Sequence, residues 1–248
     1  MYDLPTYVWA LVMAGAIGIP AATSAVLYRG AVAAGVSRRT ATAATATTAA
    51  VLGGWLVVSG LLARAGVYSQ DPGETVPWFF VAVAGTLIAL LLATRIPIVS
   101  HILADSGTPA RLALPHTLRI VGVLFLILMA QGRLPAAFAL PAGLGDIAIG
   151  LAAPFVARRL ARGDGRAGAV RFNVLGILDL IVAGSLGFLL LDLIRVTPST
   201  EPLTLLPLAL VPTTAVPLAV ALHIVSLRRL RAIARSDKDR SSYVLAEG

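Results

Sequence analysis

Apolar runs of 16 to 23 residues, each closed by a short loop carrying arginine, constrain this chain more than any other feature. A span of roughly 20 apolar residues crosses a bilayer as a helix. Such runs lie at about 7–28, 42–63, 77–95, 116–131, 137–157, 172–194 and 205–227. The fourth is the shortest, but it is uninterrupted from Ile120 to Ala130. The composition agrees: 58% of the 248 residues are hydrophobic and 13% are charged. A soluble domain carries roughly 25% charged residues. Lipid faces an apolar exterior without cost, whereas water does not. The expected fold is therefore all-α, one bundle of seven transmembrane helices over residues 1–227, with a basic tail from 228 to 248.

Loop charge gives the orientation. Alternating the sides puts Arg29, Arg38, Arg39, Arg95, Arg111, Arg158, Arg159, Arg162, Arg166, Arg171 and the basic tail on one face, with Arg119 just inside the membrane there. Only Arg64, Arg133 and Arg195 fall on the other. Short cytoplasmic loops carry the excess of Lys and Arg, which predicts an outside N-terminus and a cytoplasmic C-terminus in a cell (inner or plasma) membrane. The opening Met1-Tyr2-Asp3 has no basic stretch, and the run behind it is too long for a signal h-region, so it reads as a first span. Asp71, Glu74 and Glu201 are expected outside, in turns marked by Asp71-Pro72-Gly73 and Pro198-Ser199-Thr200. The segment 96–115 reads as the longest cytoplasmic connection, with a short interfacial helix over Ile98–Ala104.

A net charge of +8 would suggest nucleic acid in a soluble protein. Here the charge sits in loops and tail, which points to the bilayer and its anionic headgroups as partners and not to nucleic acid. The tail from Arg228 to Arg240 reads as a basic helix resting on those headgroups. With no cysteine, thiolate chemistry and disulfides are excluded. Lys238 is the only lysine and lies in the tail, so no retinal-type Schiff base forms within the membrane. No phosphate-binding loop, Gly-x-Ser-x-Gly elbow or His-Glu-x-x-His is present. The seven-span layout resembles rhodopsin-like proteins in topology alone, which carries no function.

Ionisable groups within spans are costly to insert and therefore informative. Asp146 lies midway along the fifth span, on a face shared with Ala142, Gly150 and Ala153, whose small side chains direct it toward a neighbouring helix. Pro141 and two glycines loosen the helix ahead of it. Asp179, flanked by Gly176 and Ala183, is expected about 10 Å below the cytoplasmic surface. The echo Gly143-x-x-Asp146 and Gly176-x-x-Asp179 falls on consecutive, oppositely directed helices. Asn173 reads as the cap of the sixth span. Arg119 either snorkels to the cytoplasmic surface or faces Asp179, leaving Asp146 without a partner. His116 lies one turn before Arg119 on a neighbouring face, and His223 one turn from the cytoplasmic end of the seventh span. No His-x-x-x-His pair anchors a metal among these residues, and His101 reads as interfacial. Pro207, Pro212 and Pro217 should bend the seventh span.

The candidate site residues are thus Asp146, Asp179, Arg119, His116, His223 and Asn173, with the cofactor unknown. Three functions remain open: translocation of a proton, cation or small solute, enzymatic acid–base chemistry on a lipid or isoprenoid, or a structural or sensory bundle whose polar groups only lock packing.

Overall fold

The computed structural model describes residues 4–69, 77–190 and 196–246, with side chains only as far as 239. The expected loop residues Asp71 and Glu74, the turn beginning at Asp71, and Arg195 lie outside the described residues. Everything described is helix, turn or coil: α1 (Thr6–Ala33), α2 (Arg38–Arg64), α3 (Trp78–Ala93), α4 (Pro97–Leu103), α5 (Thr108–Ala113), a 3₁₀ segment (Leu114–Gly122), α6 (Val123–Ala130), α7 (Ala136–Ala161), α8 (Arg166–Phe188), a 3₁₀ turn (Glu201–Thr204), a π turn (Val211–Ala215) and α9 (Val216–Ala246).

Six continuous helical stretches among the described residues are long and apolar enough to cross a membrane, and α3 with α4 forms a further pair bent by 81°. Their outward faces are apolar: Val57 and Leu61 on α2, Ile88 and Leu92 on α3, Leu144, Leu151 and Phe155 on α7, and Leu175, Leu178 and Ile181 on α8 are all exposed. Exposed apolar surface on this scale needs lipid as its solvent. The protein is a multi-pass membrane protein.

The structure moves several expected boundaries. The stretch expected as the fourth span begins at Thr108 rather than 116 and runs as α5, 3₁₀ and α6 to Ala130. A short helix near the expected 98–104 is present as α4. Pro115 lacks an N–H to donate, and the nine residues from Leu114 to Gly122 adopt the tighter 3₁₀ winding, with a rise of about 2 Å per residue. The stretch expected as the sixth span starts at Arg166, six residues before the expected 172. The stretch expected as the last span is helical only from the π turn onward, not from 205. Pro207 lies ahead of it, so only Pro212 and Pro217 act on this helix. Pro217 removes the N–H that would meet the Thr213 carbonyl, and the Trp55 indole donates to that carbonyl at 2.9 Å instead. The basic segment after Leu227 continues α9 through Ala246 without a break.

A salt bridge closes the α4–α5 elbow. Arg111 donates to Asp105, the Gly107 N–H donates to the same carboxylate oxygen at 2.9 Å, and Arg229 of α9 donates to the Asp105 carbonyl at 3.2 Å. Partial burial pushes the Asp105 carboxyl up, but these donors and the charges of Arg111 and Arg229 outweigh it and hold the group below the usual carboxylate range. His101 is exposed, with Nε2 3.2 Å from the Ala34 carbonyl.

Candidate functional site

The 3₁₀ winding sets the site. In an α-helix, residues three apart are offset by about 60° around the axis, whereas in a 3₁₀-helix they eclipse. His116, Arg119 and Gly122 therefore fall in one row, and all three are buried. The expectation that His116 lies on a neighbouring face from Arg119 is corrected on this ground.

Arg119 is 3% exposed and does not snorkel. Its Nε donates to Asp146 Oδ1 at 2.7 Å, and its Nη2 donates to Asp179 Oδ2. One guanidinium thus holds both carboxylates. Asp146 is not the unpartnered acid that the sequence suggested. Nor do the two acids lie at different depths, since the earlier start of α8 puts Asp179 about 20 Å along that helix, level with Asp146. Arg119, Asp179 and Asp146 form one cluster at one level of the bundle. Neither aspartate is fully buried: 17% of the Asp146 side chain and 13% of the Asp179 side chain remain open.

The third arm of the guanidinium extends the network. Nη1 of Arg119 lies 3.3 Å from His223 Nε2, and His223 Nδ1 lies 2.9 Å from Asn173 Oδ1. Arginine only donates, so Nε2 must accept and the His223 proton must sit on Nδ1, facing the asparagine oxygen. The Asn173 amide then donates to the Ala169 carbonyl at 2.8 Å and to Ser226 Oγ at 3.1 Å. Asn173 is inside α8, buried, and is not its cap. The His116 ring stacks on His223, with centroids 3.8 Å apart and planes 16° apart, and Phe172 meets it edge-on. Both His116 nitrogens are buried without a hydrogen-bond partner among the described residues. No group of three or more His, Asp or Glu side chains among those residues is placed to hold a metal.

Glycines seat the polar groups. A Cβ on Gly122 would collide with the Asp146 side chain, one on Gly145 with the Asp179 carboxylate, and one on Gly176 with the His223 ring. A Cβ on Gly150 would come within 2.7 Å of the Ile120 backbone nitrogen, so α7 and the 3₁₀ segment touch through main chain. Sequence reasoning used Gly150 and Gly176 only as markers of an inward face. It missed Gly122, Gly145 and Ser226, whose partners are on other helices. The local echo was the available signal: Gly145, beside Asp146, is the seat for Asp179.

Two cavities meet at Asp146. The smaller, about 40 Å³, lies among α1, the 3₁₀ segment and α9, with Gly15, Val121 and Ala219 in its wall. The larger, about 630 Å³, is bounded by Phe79, Phe80, Phe125, Phe138 and Phe188, reaches Pro77, Thr200 and Thr204 at one end, and has Asp146 and Asp179 in its wall. Phe80 meets Phe188 at 5.0 Å and Phe125 meets Phe138 at 5.4 Å, both edge-to-face.

Residues 76–231 match the model of a family described as Domain of unknown function (DUF8737). The chain belongs to this family. The family segment holds every member of the polar cluster and α3 and α6–α8, while α1 and α2 precede it. No curated protein and no solved structure matches the chain.

Proposed function

We propose that this protein translocates a proton, a cation or a small solute through a seven-span bundle, with Asp146, Asp179 and Arg119 as its charged site. The crossing that completes seven, beside the six continuous stretches, is α3, alone or with α4. The N-terminus lies outside and the C-terminus in the cytoplasm of a cell membrane, on the strength of the arginine distribution. The basic extension of α9 rests on anionic headgroups of that membrane.

The observation that carries the reading is two carboxylates on one guanidinium at the wall of a 630 Å³ cavity. Arg119 balances one negative charge. The second carboxylate leaves a place for one positive charge, which a proton or a bound cation fills. The larger cavity reaches the cluster from the end holding Pro77 and Thr200. On the other side the stacked His116 and His223, with Phe172 and Asn173, fill the space. The larger cavity gives access to the pair from that end in this conformation. Alternation requires a movement on the α9 side, where the π turn and Pro217 already interrupt regular helix.

Proton flux into liposomes holding the purified protein tests this. Flux in wild type that is lost in Asp146→Asn or Asp179→Asn, with melting unchanged, supports the reading; flux that survives both substitutions refutes it. A second reading is favoured by one feature. Because both carboxylates reach the same guanidinium, they stand within one substrate's width beside an aromatic cavity, which suits acid–base chemistry on a lipid or isoprenoid. Chemical turnover of an added lipid extract by wild type, and not by Asp146→Asn, would favour the enzyme.

A further inference from the structure

We infer that the larger cavity takes a hydrophobic organic monocation, its charge beside Asp146 and Asp179 and its apolar body among the phenylalanines. This rests on the reading of the acid pair as a site for positive charge and names the class of molecule that supplies it. Three independent observations converge. The first is volume: about 630 Å³ lies within the range of roughly 300–1,000 Å³ typical of small-molecule sites and far exceeds what a bare ion needs. The second is the wall, where Phe80 with Phe188 and Phe125 with Phe138 present two aromatic pairs. Aromatic faces attract cations as well as apolar groups. The third is charge. Among the described residues Arg119 is the only cation bonded to either carboxylate, and each acid gives it a single oxygen. Both side chains also keep a part of their surface open.

A neutral lipid tail would fill the same apolar volume but would leave the second carboxylate without a counter-charge. An inorganic cation would answer the charge but leave the aromatic walls idle. An anion would be repelled by the excess carboxylate. Only a cation with an apolar body uses all three features.

The test is binding to purified, detergent-solubilised protein by titration calorimetry, against empty micelles. The probes are tetraphenylphosphonium and tetraphenylborate, which share size and shape and differ in the sign of their charge. Tetraphenylphosphonium should bind wild type saturably and at least about tenfold more tightly than tetraphenylborate. Asp146→Asn and Asp179→Asn should each weaken it by about tenfold. Equal binding of both probes would overturn the inference, showing an apolar cavity indifferent to charge, and so would binding of neither. The comparison of probes on wild type needs no variant to fold. If neither probe binds but proton flux is present and is lost in the aspartate variants, the substrate class fails while the translocation reading stands.

Discussion

The α2–α3 side of the bundle and the packed region formed by the 3₁₀ segment, α7, α8 and α9 are built on opposite principles. On the α2 side, 17% of the most apolar window is buried; in the last span, 56% is. Between α2 and α3 lies an apolar groove of about 710 Å³, walled by Leu52, Trp55, Val81 and Leu90. Gly53, Gly54 and Gly85 there have nothing within 4 Å of a would-be Cβ. In the other region Gly122, Gly145, Gly150 and Gly176 each have a side chain or backbone pressed onto them. In lipid, apolar surface gains little by turning inward, so burial follows small residues and hydrogen bonds rather than hydrophobicity. The family segment, 76–231, takes in the whole polar region but omits α1 and α2.

The strongest way to break this contrast is at Arg119. Arg119→Leu strands two adjacent carboxylates, and loss of one partner from a buried ion pair costs about 3–5 kcal/mol. A large fall in the unfolding midpoint is expected. Combining it with Asp146→Asn and Asp179→Asn should restore much of the loss. A single substitution costing under about 1 kcal/mol, typical of an exposed pair, would mean the cluster is solvated.

Glycine substitutions sharpen the contrast in both directions. Gly145→Ala should destabilise by about 1–3 kcal/mol, because its Cβ meets the Asp179 carboxylate. Gly54→Ala, in open space on a helix, should stabilise by about 0.5–1 kcal/mol. Similar responses at both sites, measured by chemical unfolding in detergent, would erase the distinction between the regions.

His116→Phe removes two unpartnered buried nitrogens and keeps a ring against His223 and Phe172. Since a buried unsatisfied polar group costs about 1–3 kcal/mol, this variant should melt at or above wild type. A clear loss would reveal a partner for the imidazole. Trp55→Phe should cost about 1 kcal/mol by leaving the Thr213 carbonyl without its donor.

The smallest effect is expected at the α4–α5 elbow. The Asp105 carboxyl is held below its usual range, so its stabilising contribution is present above about pH 4, the unperturbed value, and fades as pH falls through the lowered one. Wild type should melt above Asp105→Asn at neutral pH, and the two should converge on acidification.

Approximate positions of the apolar stretches, their apolar outer faces and the identity of the six polar residues that gather inside were all legible in the sequence. These are local properties, carried by the length of an apolar run and by small residues at helical spacing. Tertiary structure decided the rest. Depth estimates for Asp179 failed because the helix start at Arg166 lies beyond the apolar run, where hydropathy gives no boundary. Asn173 read as a cap for the same reason. The row of His116, Arg119 and Gly122 depends on a long 3₁₀ segment, which local propensity disfavours and close packing of main chain at Gly150 accompanies. That one arginine takes both aspartates follows from which helices are neighbours, and helix adjacency is a property of the packed bundle rather than of any single span.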